Sequence, residues 1–248
     1  MLKTRNILAV LMAVIFAAAA VLIVPTKTDA AGRDNRKKAK AEIEQPLNLA
    51  ILIQDDLQSR VGNELGVTKD FIRSLPAGSR VMVGYITTGT LQVRQKFTDD
   101  LDKAAGSLRI PRASDAASPY NPYIEVIEAL RQFDEGGKNR NAVLLISDGL
   151  DTSHGFDATS AGNTPDLRRA IREANRRNVA VYSFYAPSEE GLTSRNRTAA
   201  SYGQSSLNRL SDETGGRAFF QGTTGFVTFD SYFDRLRETL NEQYAKAY

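Results

Sequence analysis

The stretch ILIQDDLQSR, residues 51–60, joins an apolar run to two neighbouring carboxylates. An uninterrupted apolar run is typical of a strand that is buried on both faces of a sheet. The strand predicted here covers LNLAILIQ, residues 47–54, and places Asp55 and Asp56 at its carboxyl end. The two carboxylates either begin the next helix or line a site, and the rest of the chain has to decide between these interpretations.

The pattern that continues from this strand alternates strands with helices. Further strands are predicted at 81–87, 91–97, 141–147, 179–185 and 217–220, and helices at 62–75, 122–133, 205–216, 230–244 and behind a cap at Thr164. This alternation predicts an α/β fold with a doubly wound, Rossmann-like, mostly parallel sheet and helices on both faces. The half-exposed strand 91–97 follows a tight turn, which predicts one antiparallel edge strand.

The order of the elements also predicts where a ligand would bind. Doubly wound sheets bind ligands beyond the carboxyl ends of the strands, where the strand order reverses. This rule places Asp55, Ser59, Asp148 and Asp151 on one rim of the sheet. Two long polar segments, 148–163 and 186–205, leave strand ends at the same rim. We predict that they are unstructured loops which form a polar recognition surface.

The first thirty residues have the pattern of an export signal. Lys3 and Arg5 precede the uncharged segment 7–24, and small residues surround Ala30 and Ala31. We predict a signal peptide over residues 1–30, with an uncleaved membrane anchor as the alternative, because 18 apolar residues are close to the minimum for a membrane span. Either interpretation predicts an exported protein, periplasmic or extracellular.

The charge of the chain is divided unevenly. The net charge is +3, but residues 33–40 alone carry a formal charge of +4 and the leader before them +2. From Ala41 onward the formal charge is therefore −3, which argues against a nucleic-acid partner. We predict a basic polar linker at 31–46, a domain at 47–248, and membrane contact only through an uncleaved N-terminal segment. The chain has no cysteine, which excludes disulfides and thiol-based sites.

Four segments resemble one known family. They are KFTDDLDKAAGSL (96–108), SDGLDTSHG (147–155), LNRLSDETGGRAFF (207–220) and NEQYAKAY (241–248). Together they resemble the von Willebrand factor A domain family, and in particular its bacterial secreted branch. The resemblance covers residues 47–248 and implies the same α/β fold.

The resemblance also implies a metal-ion-dependent adhesion site. Its residue pattern assigns Asp55, Ser59, Ser118 and Asp148 as ligands of Mg²⁺ or Mn²⁺, and it places Leu57 where a serine ligand is expected. Magnesium requires oxygen ligands in near-octahedral geometry, and a leucine side chain offers none. The implied site is therefore degenerate, and the ion is either weakly held or absent.

The function implied by the resemblance is that of an exported, non-catalytic, adhesion-like module. Its partner would be a protein, engaged through a carboxylate at a rim formed by Asp56, Asp151, His154, Arg195 and Arg197. Two alternatives stay open, a divalent-metal-dependent hydrolase and an inert scaffolding domain. The sequence has a single histidine and lacks both a nucleophile elbow and a glycine-rich phosphate loop.

Overall fold

The computed structural model describes residues 42–57, 61–112, 121–134, 139–153, 164–188, 196–220 and 228–247. Six strands form one sheet: β1 (Leu47–Gln54), β2 (Arg80–Thr87), β3 (Thr90–Thr98), β4 (Arg140–Ser147), β5 (Val179–Tyr185) and β6 (Ala218–Phe219). Their order is β3-β2-β1-β4-β5-β6. Only β3 runs antiparallel to its neighbour, while all other neighbouring pairs are parallel. The fold class predicted from the sequence is confirmed.

Burial along the strands explains this order. All eight residues of β1 are buried, as a strand covered on both faces requires. β3 lies at the edge, and its burial alternates between half-buried and exposed residues. Because the chain moves from β1 to β2 on one side and then returns to β4 on the other, the strand order reverses between β1 and β4.

Six described helices cover the sheet: α1 (Val61–Arg73), α2 (Leu101–Gly106), α3 (Pro122–Leu130), α4 (Pro165–Arg176), α5 (Arg197–Asp212) and α6 (Asp230–Ala247). Four of them begin at polar caps whose side chains accept backbone hydrogen bonds: Asp100, Asn121, Thr164 and Asn196. Pro122 and Pro165 follow two of these caps in the first turn, where a missing N–H is not costly.

Each face of the sheet has its own core. Alternate residues of β1 point in opposite directions, so that Leu49 and Ile51 belong to one cluster and Ala50 and Leu52 to the other. The first cluster includes residues of α1, α2 and α6, and the second includes residues of α3, α4 and α5. The sheet is therefore held between two helical layers.

The structure corrects the prediction for one segment. Residues 186–205 were predicted to form a loop and the following helix to begin at 205, but α5 begins at Arg197. Ala199, Ala200 and Gly203 are on its buried face. The prediction failed because these small residues do not produce the spacing of large apolar side chains by which an amphipathic helix is recognised.

All described residues belong to one compact unit, residues 40–248. Ile43 is buried in the first core cluster, and Asn241 of α6 donates a hydrogen bond to the carbonyl of Glu42 at 2.7 Å. The predicted leader at 1–30 lies outside the described residues. Among the residues that are described, we find no helix both long and apolar enough to span a membrane.

One carboxylate is buried in the second helical layer. Glu125 of α3 is 2% exposed, and its Oε2 atom has no hydrogen-bond partner. Burial raises the pKa of Glu125 to about 7, with Glu128 and Asp166 adding to the effect. Because the raised pKa favours the protonated form in the folded state, the penalty for burying Glu125 is absent below pH 4.5, grows as pH rises from there, and above about pH 7 is fully present.

We therefore expect Glu125→Gln to stabilise the protein at pH 8 by about 2 kcal/mol and to have much less effect at pH 5. Urea denaturation midpoints at the two pH values would measure this difference. Glu242→Gln is the matched control, since Glu242 is exposed on α6. An equal gain at both pH values would show that burial of the charge is not the cause.

Candidate functional site

The site lies where β1 and β4 end side by side, at the point of strand reversal. Gln54, the last residue of β1, connects the two ends. Its Oε1 atom accepts hydrogen bonds from the Ser147 hydroxyl at 2.5 Å and from the Asp148 backbone at 3.1 Å. Its Nε2 atom donates to Asp56 Oδ1 at 2.7 Å. One buried amide therefore fixes the loop after β1 to the loop after β4.

Asp55 is fully buried beneath two arginines. The Arg109 guanidinium donates to both carboxylate oxygens, at 2.5 and 2.8 Å, in a bidentate pair. The backbone N–H of Arg112 donates to the first of these oxygens at 3.1 Å, and its Nε atom lies 3.6 Å from the second. The Asp55 backbone N–H donates to the Ile86 carbonyl at 3.0 Å. The carboxylate is thus committed to partners within the chain.

The position of Arg109 is itself fixed by Tyr85 of β2. The guanidinium carbon lies 3.9 Å from the centre of the Tyr85 ring. The Tyr85 hydroxyl accepts from the Arg109 backbone N–H at 2.8 Å and donates to its carbonyl at 2.6 Å. The hydrogen bonds to Asp55 raise the pKa of Arg109 above its usual value. Arg109 is therefore held in place as a permanent cation.

The loop after β4 is positioned by close packing against α5. Asp148 is 5% exposed, and its Oδ1 atom accepts from the Leu150 backbone at 3.1 Å. Gly149 has a φ of +72°, which favours glycine, and its carbonyl accepts from the Tyr123 hydroxyl at 2.6 Å. A methyl group on Gly203 of α5 would lie 1.9 Å from the Asp148 carbonyl oxygen. Backbone contact between helix and loop thus sets the position of Asp148.

Leu57 has a structural role in the fold. Its side chain is fully buried in the first core cluster. Its backbone forms an isolated antiparallel bridge with Ser188, which follows β5. Leu57, which stands at the implied serine position, therefore fixes the loop after β1 to the core and to the segment that follows β5.

The other residues predicted for the rim are only partly described. Asp151 Oδ1 accepts from the Ser153 backbone and hydroxyl at 3.0 and 2.6 Å, whereas its buried Oδ2 has no hydrogen-bond partner. Arg197 is exposed at the first turn of α5. Asp56 is buried and bound by Gln54. Four other predicted site residues lie outside the described ranges and stay predictions: Ser59, Ser118, His154 and Arg195.

A divalent ion does not fit the residues that the structure describes. Both oxygens of Asp55 are bound by a guanidinium, and Leu57 offers no oxygen. Within the described ranges, no group of three or more histidine or acidic side chains is placed to hold a metal ion. Magnesium binding needs several oxygen ligands that are free to converge on the ion. The described geometry therefore leaves no free carboxylate oxygen at Asp55, while the predicted ligation by the full set of Asp55, Ser59, Ser118 and Asp148 stays a prediction.

Sequence reasoning missed four residues that organise the site: Gln54, Tyr85, Arg109 and Gly203. Arg109 lies 54 positions after Asp55, in a segment that follows a short helix and contains no recognisable motif. Gly203 was a usable signal, because a glycine inside a helix is costly unless close packing requires it.

Three solved structures are similar to this chain. An aerotolerance-related membrane protein from Bacteroides fragilis aligns with a TM-score of 0.54 and 11% identity, over 79% of this chain and 99% of that protein. The conserved hypothetical protein BatB from Bacteroides thetaiotaomicron aligns with a TM-score of 0.52 and 13% identity, over 80% and 99%. The human COPII-coat protein Sec24c aligns with a TM-score of 0.52 and 11% identity, over 80% of this chain and 32% of its own.

No protein-family model matches the sequence, and no curated protein matches it either. At these identities the structural likeness concerns the fold. The mostly parallel sheet of this chain, with its single antiparallel edge strand, also agrees with the α/β fold that the sequence resemblance implies. The chain therefore has a fold of the von Willebrand factor A type.

Proposed function

We propose that the chain is an exported, non-catalytic module that binds a protein partner at the strand-end rim. The observation that carries this proposal is the burial of Asp55 under Arg109. A metal-dependent hydrolase needs a carboxylate that is free to bind its ion or to act as a base, and here the central carboxylate is occupied on both oxygens. Binding uses the surface around this pair and needs no reactive group.

The surface beside the pair has the chemistry of a recognition site. The Arg112 side chain is 61% exposed, although its backbone is fixed to Asp55. Ile110 is also 61% exposed, more than any other large apolar side chain among the described residues. We call Ile110 and Arg112 the arginine edge. An apolar contact next to a guanidinium is a common combination in protein interfaces.

A carboxylate of the partner is the group that this edge would receive. Arg112 has a planar fork of donors that matches a carboxylate and is only weakly hydrated. Arg197 at the start of α5 adds a second exposed guanidinium on the predicted rim. An acidic side chain or a chain terminus of a partner protein therefore fits the proposal.

Export is supported by the apolar segment at 7–24 and its basic start. The structural likeness to an aerotolerance-related membrane protein is consistent with a location in the cell envelope. Capture experiments should therefore use envelope fractions of the source organism.

The test compares capture by wild type, Ile110→Glu, Arg112→Glu and Arg80→Glu. Arg80 is the control, because it is a partly exposed arginine that pairs with an aspartate, as Arg112 does, but it lies at the start of β2. We expect proteins captured by wild type and Arg80→Glu to bind the two edge variants at least about tenfold more weakly, a difference of ~1.4 kcal/mol. A partner bound equally by all four proteins would place the interface elsewhere.

A further inference from the structure

The charge of Asp55 is neutralised by the chain itself. A fully buried carboxylate needs a positive partner, because an isolated charge in the interior is strongly disfavoured. In the site implied by the sequence resemblance, a divalent ion would supply that positive charge. Here the Arg109 guanidinium supplies it through two hydrogen bonds.

Several contacts also fix Arg109 in this position. The guanidinium carbon of Arg109 stacks on the Tyr85 ring, 3.9 Å from the ring centre. The Tyr85 hydroxyl also forms hydrogen bonds with the Arg109 backbone N–H and carbonyl. Its Nη1 atom donates further to the Ile110 carbonyl at 3.0 Å. A guanidinium does not lose its proton under ordinary conditions and, unlike an ion, cannot dissociate from the chain.

We propose that Arg109 takes the place of the divalent ion at this rim. Its charge keeps the loop after β1 assembled at all concentrations of Mg²⁺ or Mn²⁺. Assembly of the rim therefore does not depend on a metal ion, and a partner carboxylate would meet the exposed Arg112 guanidinium in place of an ion. The first part of this inference, the substitution of arginine for the ion, does not depend on whether the rim binds a protein.

Thermal unfolding of the full chain in a chelator and in millimolar Mn²⁺ tests the substitution. We expect the same Tm in both conditions for wild type and for Leu57→Ser, because Arg109 still occupies the position in each. Arg109→Ala exposes Asp55 to the ion, so Mn²⁺ should raise its Tm by about 3–6 °C, and more when Leu57→Ser is added. Arg80→Ala removes an arginine that also pairs with an aspartate and stacks on an aromatic ring, but its partner Asp134 is exposed, so this variant should show no response to Mn²⁺.

Three results would overturn the proposal. A Tm of wild type that rises with Mn²⁺ would mean that an ion still binds beside Arg109. A response of Leu57→Ser alone would mean that the leucine, and not the arginine, excludes the ion. A lack of response in both Arg109→Ala variants would mean that the guanidinium does not occupy an ion position.

The test stays decisive if Arg109→Ala does not fold in the chelator. In that case Mn²⁺ present during refolding should restore a cooperative transition. The double variant Asp55→Asn, Arg109→Ala removes both charges, and it should fold without the ion and ignore Mn²⁺. Failure of both rescues would show that neutralising Asp55 is not the function of Arg109.

Discussion

Replacing Arg109 with methionine should lower the free energy of unfolding by about 3 kcal/mol, the scale found when one partner of a buried ion pair is removed. Methionine keeps an apolar side chain of similar length over the ring of Tyr85, so the loss reports mainly on the charge. The reason for the large effect is Asp55, which is fully buried and would lose two hydrogen bonds at once. Chemical denaturation in the absence of divalent ions measures the difference.

Two further variants separate the charge from packing. Arg80→Met should cost less than about 1 kcal/mol, because the Arg80–Asp134 pair is exposed to solvent. Asp55→Asn combined with Arg109→Met removes the unpaired charge, so it should be more stable than Arg109→Met alone. A double variant that is less stable than the single one would contradict the view that the buried charge causes the loss.

Gly203→Ala should destabilise the protein by about 3 kcal/mol through overpacking, at the upper end of the usual range. The added methyl group would lie 1.9 Å from the carbonyl oxygen of Asp148 and 3.1 Å from its carbonyl carbon. Both atoms belong to the backbone, so a change of side-chain rotamer cannot relieve the contact. Either α5 or the loop after β4 must move.

Gly66→Ala is the matched control for this prediction. Gly66 also lies within a helix, α1, but nothing is within 4 Å of the position of its added methyl group. Alanine should therefore stabilise the protein there by up to about 1 kcal/mol, through its better helix propensity. Denaturant midpoints of the two variants that shift in the same direction would argue against close packing at Gly203.

Strands that are buried on both faces were predictable because they appear in the sequence as nearly continuous apolar runs. β1 and β5 have the predicted bounds. The short β6 has two residues where four were predicted. A strand of two residues is too short for a periodic pattern, so local sequence does not determine its ends.

The candidate site was predictable only in its position. A carboxylate directly after a buried strand indicated a rim, and Asp55 and Asp148 do flank Gln54 at the reversal of strand order. The partner of Asp55 was not predictable, because Arg109 reaches it through tertiary packing on Tyr85. Long-range pairs of this kind have no signature in residue spacing.

The most direct measurement for the whole account is anomalous diffraction from crystals of the wild-type protein grown in millimolar Mn²⁺. Manganese has a strong anomalous signal, which identifies the ion independently of any water or side chain. If Arg109 takes the place of the ion, we expect no manganese peak within bonding distance of the Asp55 oxygens. The Arg109 guanidinium should instead be hydrogen-bonded to both of these oxygens. A manganese peak coordinated by Asp55, with Arg109 displaced, would contradict the account.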